Sequence, residues 1–257
     1  MVSEKCLRKV ILNSDVYTLC VQHALTTEKQ EIMGLLVGEV DDIKCISKIS
    51  ACVTLHRSDK QPDRVEISPE QLCTASMYAD QLSKKLDRPM RVLGWYHSHP
   101  HITVWPSHVD TRTQAVYQTM DPLFVGLIFS VFQNDSRSLN NLIQVTCFQA
   151  HQGASDLERT EVELVIQNSP FENYDLKGIA DLPRILIQEE VECHDVKDND
   201  TQDELANIHN DSFKTLALVH IVSKLSRPLC DDLEERLKTV NQRIRTLENL
   251  KKELQKR

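Results

Sequence analysis

The sequence predicts a mixed α/β (α+β) domain over residues 5–185, an acidic linker over 186–204 and a helical region over 205–257 that ends in a coiled coil. Three observations predict this. Strand-like and helix-like stretches alternate through the first two-thirds of the chain. The composition then turns strongly acidic between Gln188 and Glu204, and from Cys230 apolar residues recur at heptad spacing. A chain of 257 residues is long enough for one sizeable core with an appendage.

Val10-Ile11-Leu12 reads as a short strand, and Asp15 to Leu25 as a helix with Ser14 or Asp15 as its N-cap. Ile32 to Val40 is a buried strand, paired through the Asp41-Asp42 turn with a second strand from Ile43 to Leu55. Ser68-Pro69-Glu70-Gln71 is a helix start. Ser68 caps, Pro69 suits the first turn and Gln71 occupies the capping-box position, so the helix runs to about Leu86 and stops before Pro89. Met90 to His99 is a strand, Pro100 to Pro106 a loop, and Ser107 to about Thr119 a helix. Phe124 to Phe132 and Leu142 to Phe148 are strands joined by a polar turn, and Glu161 to Ile166 is another. Leu205 to Leu225 is helical, with Arg227-Pro228 interrupting it.

The heptad positions are Cys230, Leu233, Leu237, Val240, Ile244, Leu247 and Leu254, with Lys251 the polar member of the seam. Acidic residues gather at the start of this stretch and basic ones at its end, which suits the helix dipole. Two readings fit: a coiled coil that binds a partner, or an amphipathic helix packed on its own domain.

The net charge of −8 argues against a nucleic-acid-binding surface as the main function. No apolar run approaches the ~18 residues of a membrane span. Met1 to Val10 is charged and has no apolar secretory segment. The eight cysteines are scattered, with no C-x-x-C pair and no recognisable nucleophile signature. They read as reduced thiols in an intracellular protein.

Chemistry concentrates in Trp95-Tyr96-His97-Ser98-His99-Pro100. Side chains two apart on a strand share a face, so His97 and His99 can chelate one ion. Asp110 lies in the first turn of the next helix, behind the N-cap candidate Ser107. Two imidazoles and a carboxylate leave a fourth tetrahedral position open, which is the pattern of a catalytic zinc. Each piece has a plainer reading: a surface His-x-His, an ordinary helix-start box, and at Glu31 a lone charge at a strand edge. His101 and His108 are expected to face solvent.

His97-Ser-His99-Pro100, the loop to Pro106, Ser107-x-x-Asp110 and the upstream Glu31 together resemble the JAMM (MPN-plus) zinc metalloprotease family over roughly residues 5–170. The string from Gly94 to Asp110, and Asp63 to Gln71, are most similar to the family's lysine-63-specific deubiquitinases, the catalytic subunits of multi-protein complexes. The resemblance implies an MPN domain with a mixed, curved sheet flanked by helices. It implies one Zn2+ per chain on His97, His99 and Asp110, with Glu31 as proton-transfer carboxylate and Ser107 as oxyanion donor. It implies a zinc-dependent isopeptidase acting on polyubiquitin, and pairing through the C-terminal helices with a catalytically dead MPN-minus partner in a heteromeric complex, in nucleus and cytoplasm. The ubiquitin tail is expected along a strand edge near the zinc, and the second ubiquitin against loops His56–Asp63 and Pro100–Pro106. Two alternatives remain open: a JAMM isopeptidase for another ubiquitin linkage or ubiquitin-like modifier, and a non-catalytic MPN scaffold.

Overall fold

The computed structural model describes residues 7–57, 67–134, 141–153, 156–168, 176–198 and 203–255. Residues 58–66, residues 135–140, where the polar turn is expected, and residues 199–202 of the acidic stretch lie outside them. The chain divides into two compact units, Met1–Leu182 and Pro183–Arg257.

The first unit is built on one eight-stranded mixed sheet, ordered β7-β6-β5-β4-β2-β3-β1-β8. The strands are β1 (Lys9–Asn13), β2 (Met33–Asp41), β3 (Ile46–Thr54), β4 (Arg91–Pro100), β5 (Val125–Asn134), β6 (Asn141–Gln152), β7 (Leu157–Glu161) and β8 (Glu163–Gln167). Helices α1 (Ser14–Ala24), α2 (Pro69–Leu86) and α3 (His108–Met120) flank it. The expected hairpin forms as the antiparallel pair β2–β3, with Asp41 accepting the N–H groups of Ile43 and Lys44 in the turn.

Four sequence expectations are corrected, one of them in the C-terminal helices described below. The N-cap of α1 is Asn13, not Ser14 or Asp15: its side chain accepts the Asp15 N–H at 2.8 Å. Glu161–Ile166 is not one strand. It breaks at buried Val162, whose N–H bonds to the Cys147 carbonyl. β7 lies at one end of the sheet and β8 at the other, so a one-residue joint requires the sheet to curl until its ends meet. The acidic stretch expected as a solvated linker is helical through its described part, inside α4 (Leu176–Asp198). Glutamates are good helix formers, and acidic composition alone does not melt a helix anchored by buried residues such as Ile179 and Leu182.

The α2 start is as read. Ser68 Oγ accepts the Gln71 N–H, Gln71 returns the bond, and the helix ends on Asp87 in the left-handed region. α2 covers one sheet face through Ala75, Ala79 and Leu82. On the other face, Tyr96 of β4 meets Phe129 and His23 of α1. Gly34 is opposite Tyr96, and a Cβ there would overlap the phenol ring.

His23 is fully buried, with Nδ1 3.0 Å from the Tyr96 hydroxyl. Burial, aided by the charge of Arg57, lowers its pKa to about 3. Between that value and the ordinary 6.5 the unfolded chain holds a proton that the folded chain lacks. The stability that comes from keeping His23 neutral is therefore complete above 6.5 and is lost as pH falls through this window. Urea titrations at pH 7 and pH 4 are expected to show a fall in midpoint worth on the order of a few kcal/mol. His23→Gln should have a visibly smaller fall; an equal fall would remove His23 as the cause.

In the second unit, α5 (Glu204–Ile221) starts on Asp203, which accepts the Leu205 N–H. It does not break at Arg227-Pro228. One π-helical turn, Val222–Ser226, links it to α6 (Arg227–Gln255). Widening the turn is a recognised way to carry a helix past a proline without the usual clash. The heptad residues Leu237, Val240, Ile244, Leu247 and Leu254 all lie on α6 and are exposed. No described helix is long and apolar enough to cross a membrane.

Candidate metal centre

β4 is central, between antiparallel β2 and parallel β5, and its C-terminal half is buried. The strand alternation places Trp95, His97 and His99 on the face toward α3 and Tyr96 and Ser98 on the other. α3 begins immediately after the loop. Ser107 Oγ accepts the Asp110 N–H at 3.2 Å, and Asp110 Oδ2 accepts the Ser107 N–H at 2.7 Å. This reciprocal box points the Asp110 carboxylate back at the two histidines.

Three donor atoms converge. His97 Nε2 and His99 Nε2 are 3.1 Å apart, and they lie 3.4 and 3.5 Å from the Asp110 carboxylate oxygens. A tetrahedral zinc with bonds of ~2.0–2.1 Å needs ligand atoms roughly 3.3–3.4 Å apart, close to the three spacings here, with His97 nearest one Asp110 oxygen and His99 nearest the other. The donor chemistry agrees. His99 Nδ1 is 2.7 Å from the Thr103 carbonyl, which can only accept, so Nδ1 carries the proton and Nε2 offers its lone pair to the cluster. The three residues are buried, and they are the only metal-capable group among the described residues.

The electrostatics are those of a cation site. Burial alone would raise the Asp110 pKa, but the adjacent His97 and His99 imidazoles and the Ser107 side chain hold it well below the usual carboxylate range. Burial pushes His99 toward neutrality, yet the Asp110 carboxylate, the Thr103 carbonyl and the charge of Glu31 raise its pKa. Glu31 is half-buried and is fixed by its neighbour. The Ile32 N–H donates to Ser98 Oγ and the Ser98 N–H donates to the Ile32 carbonyl, both at 3.0 Å. The residue after Glu31 is thereby clamped to the residue between the two histidines.

All five residues singled out in the sequence are accounted for. His97, His99 and Asp110 meet; Glu31 is near enough for its charge to act on His99; and Ser107 is exposed, its hydroxyl oxygen engaged as cap acceptor. His101 and His108 stay outside, exposed, with His101 3.6 Å from Glu28. The cysteines described are all free thiols, and burial raises the pKa of Cys147 and disfavours its thiolate. Three participants were missed in the sequence: the Thr103 carbonyl, Trp95, and Gln114. A carbonyl leaves no sequence signal. Gln114, four residues after Asp110 and on the same helical face, did leave one.

Comparison with known proteins gives a consistent result. A family model described as JAB1/Mov34/MPN/PAD-1 ubiquitin protease matches residues 5–123. A second, described as BRCC36 C-terminal helical domain, matches residues 175–254. Relatives named "Lys-63-specific deubiquitinase BRCC36" are similar along nearly their whole length. The protein from Camponotus floridanus is 49% identical over 98% of both chains, and that from Xenopus tropicalis 47% identical over 96% of both. The Rattus norvegicus relative is 44% identical over 97% of this chain and 95% of its own.

Proposed function

Because this chain belongs to the JAB1/Mov34/MPN/PAD-1 ubiquitin protease family, we propose that it is a zinc-dependent isopeptidase that hydrolyses lysine-63-linked ubiquitin chains. The observation that carries the reading is the convergence of His97 Nε2, His99 Nε2 and the Asp110 carboxylate within zinc-ligand spacing. The names of the relatives support the linkage.

His97, His99 and Asp110 would hold the zinc. Bound there, zinc supplies Lewis acidity, which makes water a competent nucleophile near neutral pH. The rest falls to the chain's own groups. In the hydrolysis, water oxygen bonds to the isopeptide carbonyl carbon and the carbon–nitrogen bond to the lysine breaks. Glu31 takes the proton released by water and delivers it to the lysine nitrogen, so that a neutral amine leaves instead of an amide anion. Ser107, its oxygen already accepting from the Asp110 N–H, would turn its hydroxyl hydrogen from Asp110 toward the carbonyl oxygen and donate to it as negative charge develops.

The C-terminal helices give the chain a second role. α5 and α6 expose Phe213, Leu216, Leu237, Val240, Ile244 and Leu247, a density of apolar surface that favours burial against another chain. We assign these helices to pairing, as a coiled coil, with an MPN-minus pseudo-enzyme in a heteromeric complex of nucleus and cytoplasm. The match to the BRCC36 C-terminal helical domain supports that assignment.

A panel of linkage-defined di-ubiquitins tests the whole reading, run with and without a co-expressed MPN-minus partner and with a chelator control. Chelator-sensitive cleavage of the lysine-63-linked dimer is expected, weak for the isolated chain and strong with the partner. Cleavage of a different linkage, or full activity from the lone chain, would overturn the corresponding part.

A further inference from the structure

The two histidine ligands are held in different ways. His99 has the usual outer bond, Nδ1 to the Thr103 carbonyl. Such bonds normally fix the tautomer and ring plane of a ligating histidine. His97 has none: its Nδ1 is buried and has no hydrogen-bond partner among the described residues. Its ring instead lies flat on the Trp95 indole, with centroids 4.6 Å apart and planes 10° from parallel.

The indole is fixed in turn. Trp95 is fully buried and its Nε1–H donates to Gln114 Oε1 at 2.8 Å. Gln114, also fully buried, donates through Nε2 to Gln118 Oε1 and to the Phe124 carbonyl. Gln118 is tied to β6, donating to the Ala150 carbonyl and accepting the Ala150 N–H at 2.7 Å. Rotating the indole would strand a buried N–H, at a cost of ~1–3 kcal/mol. Helix α3 thus presents the carboxylate ligand at Asp110 and, one turn later, the amide that fixes the ring behind His97.

Resting on the metal reading above, we propose that Trp95 and Gln114 are positioning residues for zinc. The amide relay sets the indole plane, and the stacked indole replaces the missing outer bond of His97. Neither residue touches the metal or the substrate. The relay also makes Trp95 a reporter, because the ring it stacks on changes charge distribution when it ligates.

The test uses the full chain, metal-free, titrated with Zn2+ alone against a competing chelator. Wild type and His97→Ala are run first: zinc uptake by the former and not the latter establishes the metal site itself. If wild type takes up no zinc, the metal reading fails and this proposal falls with it. Gln114→Leu and Trp95→Phe, the latter keeping a ring while dropping the N–H, are each expected to weaken Zn2+ binding about 10–100-fold, the usual range for outer partners of a ligand. The double variant should lose little more than either single one, since both break one relay. Additive losses, or wild-type affinity in either folded variant, would overturn the proposal. Should the variants not fold, the reporter decides. The chain has two tryptophans, so in Trp105→Phe all indole emission comes from Trp95. Zn2+ should shift that emission with the same apparent affinity as metal uptake, and an unchanged spectrum at full zinc loading would overturn the proposal.

Discussion

Glu31→Gln is expected to lower the rate of di-ubiquitin cleavage by ~10²–10⁴ while leaving one zinc per chain. The change keeps the size and a hydrogen-bonding oxygen of the side chain and removes its negative charge and its ability to take and give a proton. Glu31 is not among the three converging donor atoms, so metal content should not fall. The backbone that positions it should also persist. That segment is clamped by the paired Ile32 and Ser98 bonds, and Met33 stays opposite His97 in the ladder. Zinc stoichiometry and steady-state cleavage on the same preparation decide the matter. A zinc-loaded Glu31→Gln chain cleaving at the wild-type rate would remove Glu31 from the proton path.

The candidate metal ligands were legible because strand and helix periodicities are short-range rules. Two histidines at i and i+2 must share a face of β4, and Ser107-x-x-Asp110 must close a helix start, whatever the rest of the chain does. Glu31 was legible only through family resemblance. Its place depends on β2 pairing with β4 across more than sixty residues of chain, a register no local pattern encodes. The curl of the sheet was hidden for the same reason. Glu161 to Ile166 has the alternation of one strand, and only the competition of two sheet ends for the same segment breaks it at Val162. The acidic stretch misled in the opposite direction. Charge density was read as a sign of solvation, but residues 188–198 continue the helix described from Leu176 onward. At Pro228 the rule that proline interrupts a helix held in a weaker form, as one wide turn instead of a break.

Asp110 is where local structure and the proposed metal chemistry share one side chain, and two substitutions there should separate the two. In Asp110→Asn the side-chain carbonyl can still accept the Ser107 N–H that now bonds Oδ2 at 2.7 Å, so the start of α3 survives. What disappears is the only anionic ligand, leaving a divalent cation to be held by two imidazoles and a neutral amide oxygen. Zinc affinity should fall by more than the ~10–100-fold typical of an outer partner, and cleavage should fall with it to the level of the chelated enzyme. Asp110→Ala removes the charge and the cap partner together, adding a loss of about 1 kcal/mol in the stability of the metal-free chain. Both variants therefore lose zinc affinity, Asp110→Ala the more because it keeps no side-chain oxygen at all, and they differ in melting temperature without metal. Equal melting temperatures would mean that the capping box contributes nothing to the fold. Wild-type zinc content in Asp110→Asn would mean that the carboxylate contributes to the helix start and not to the metal.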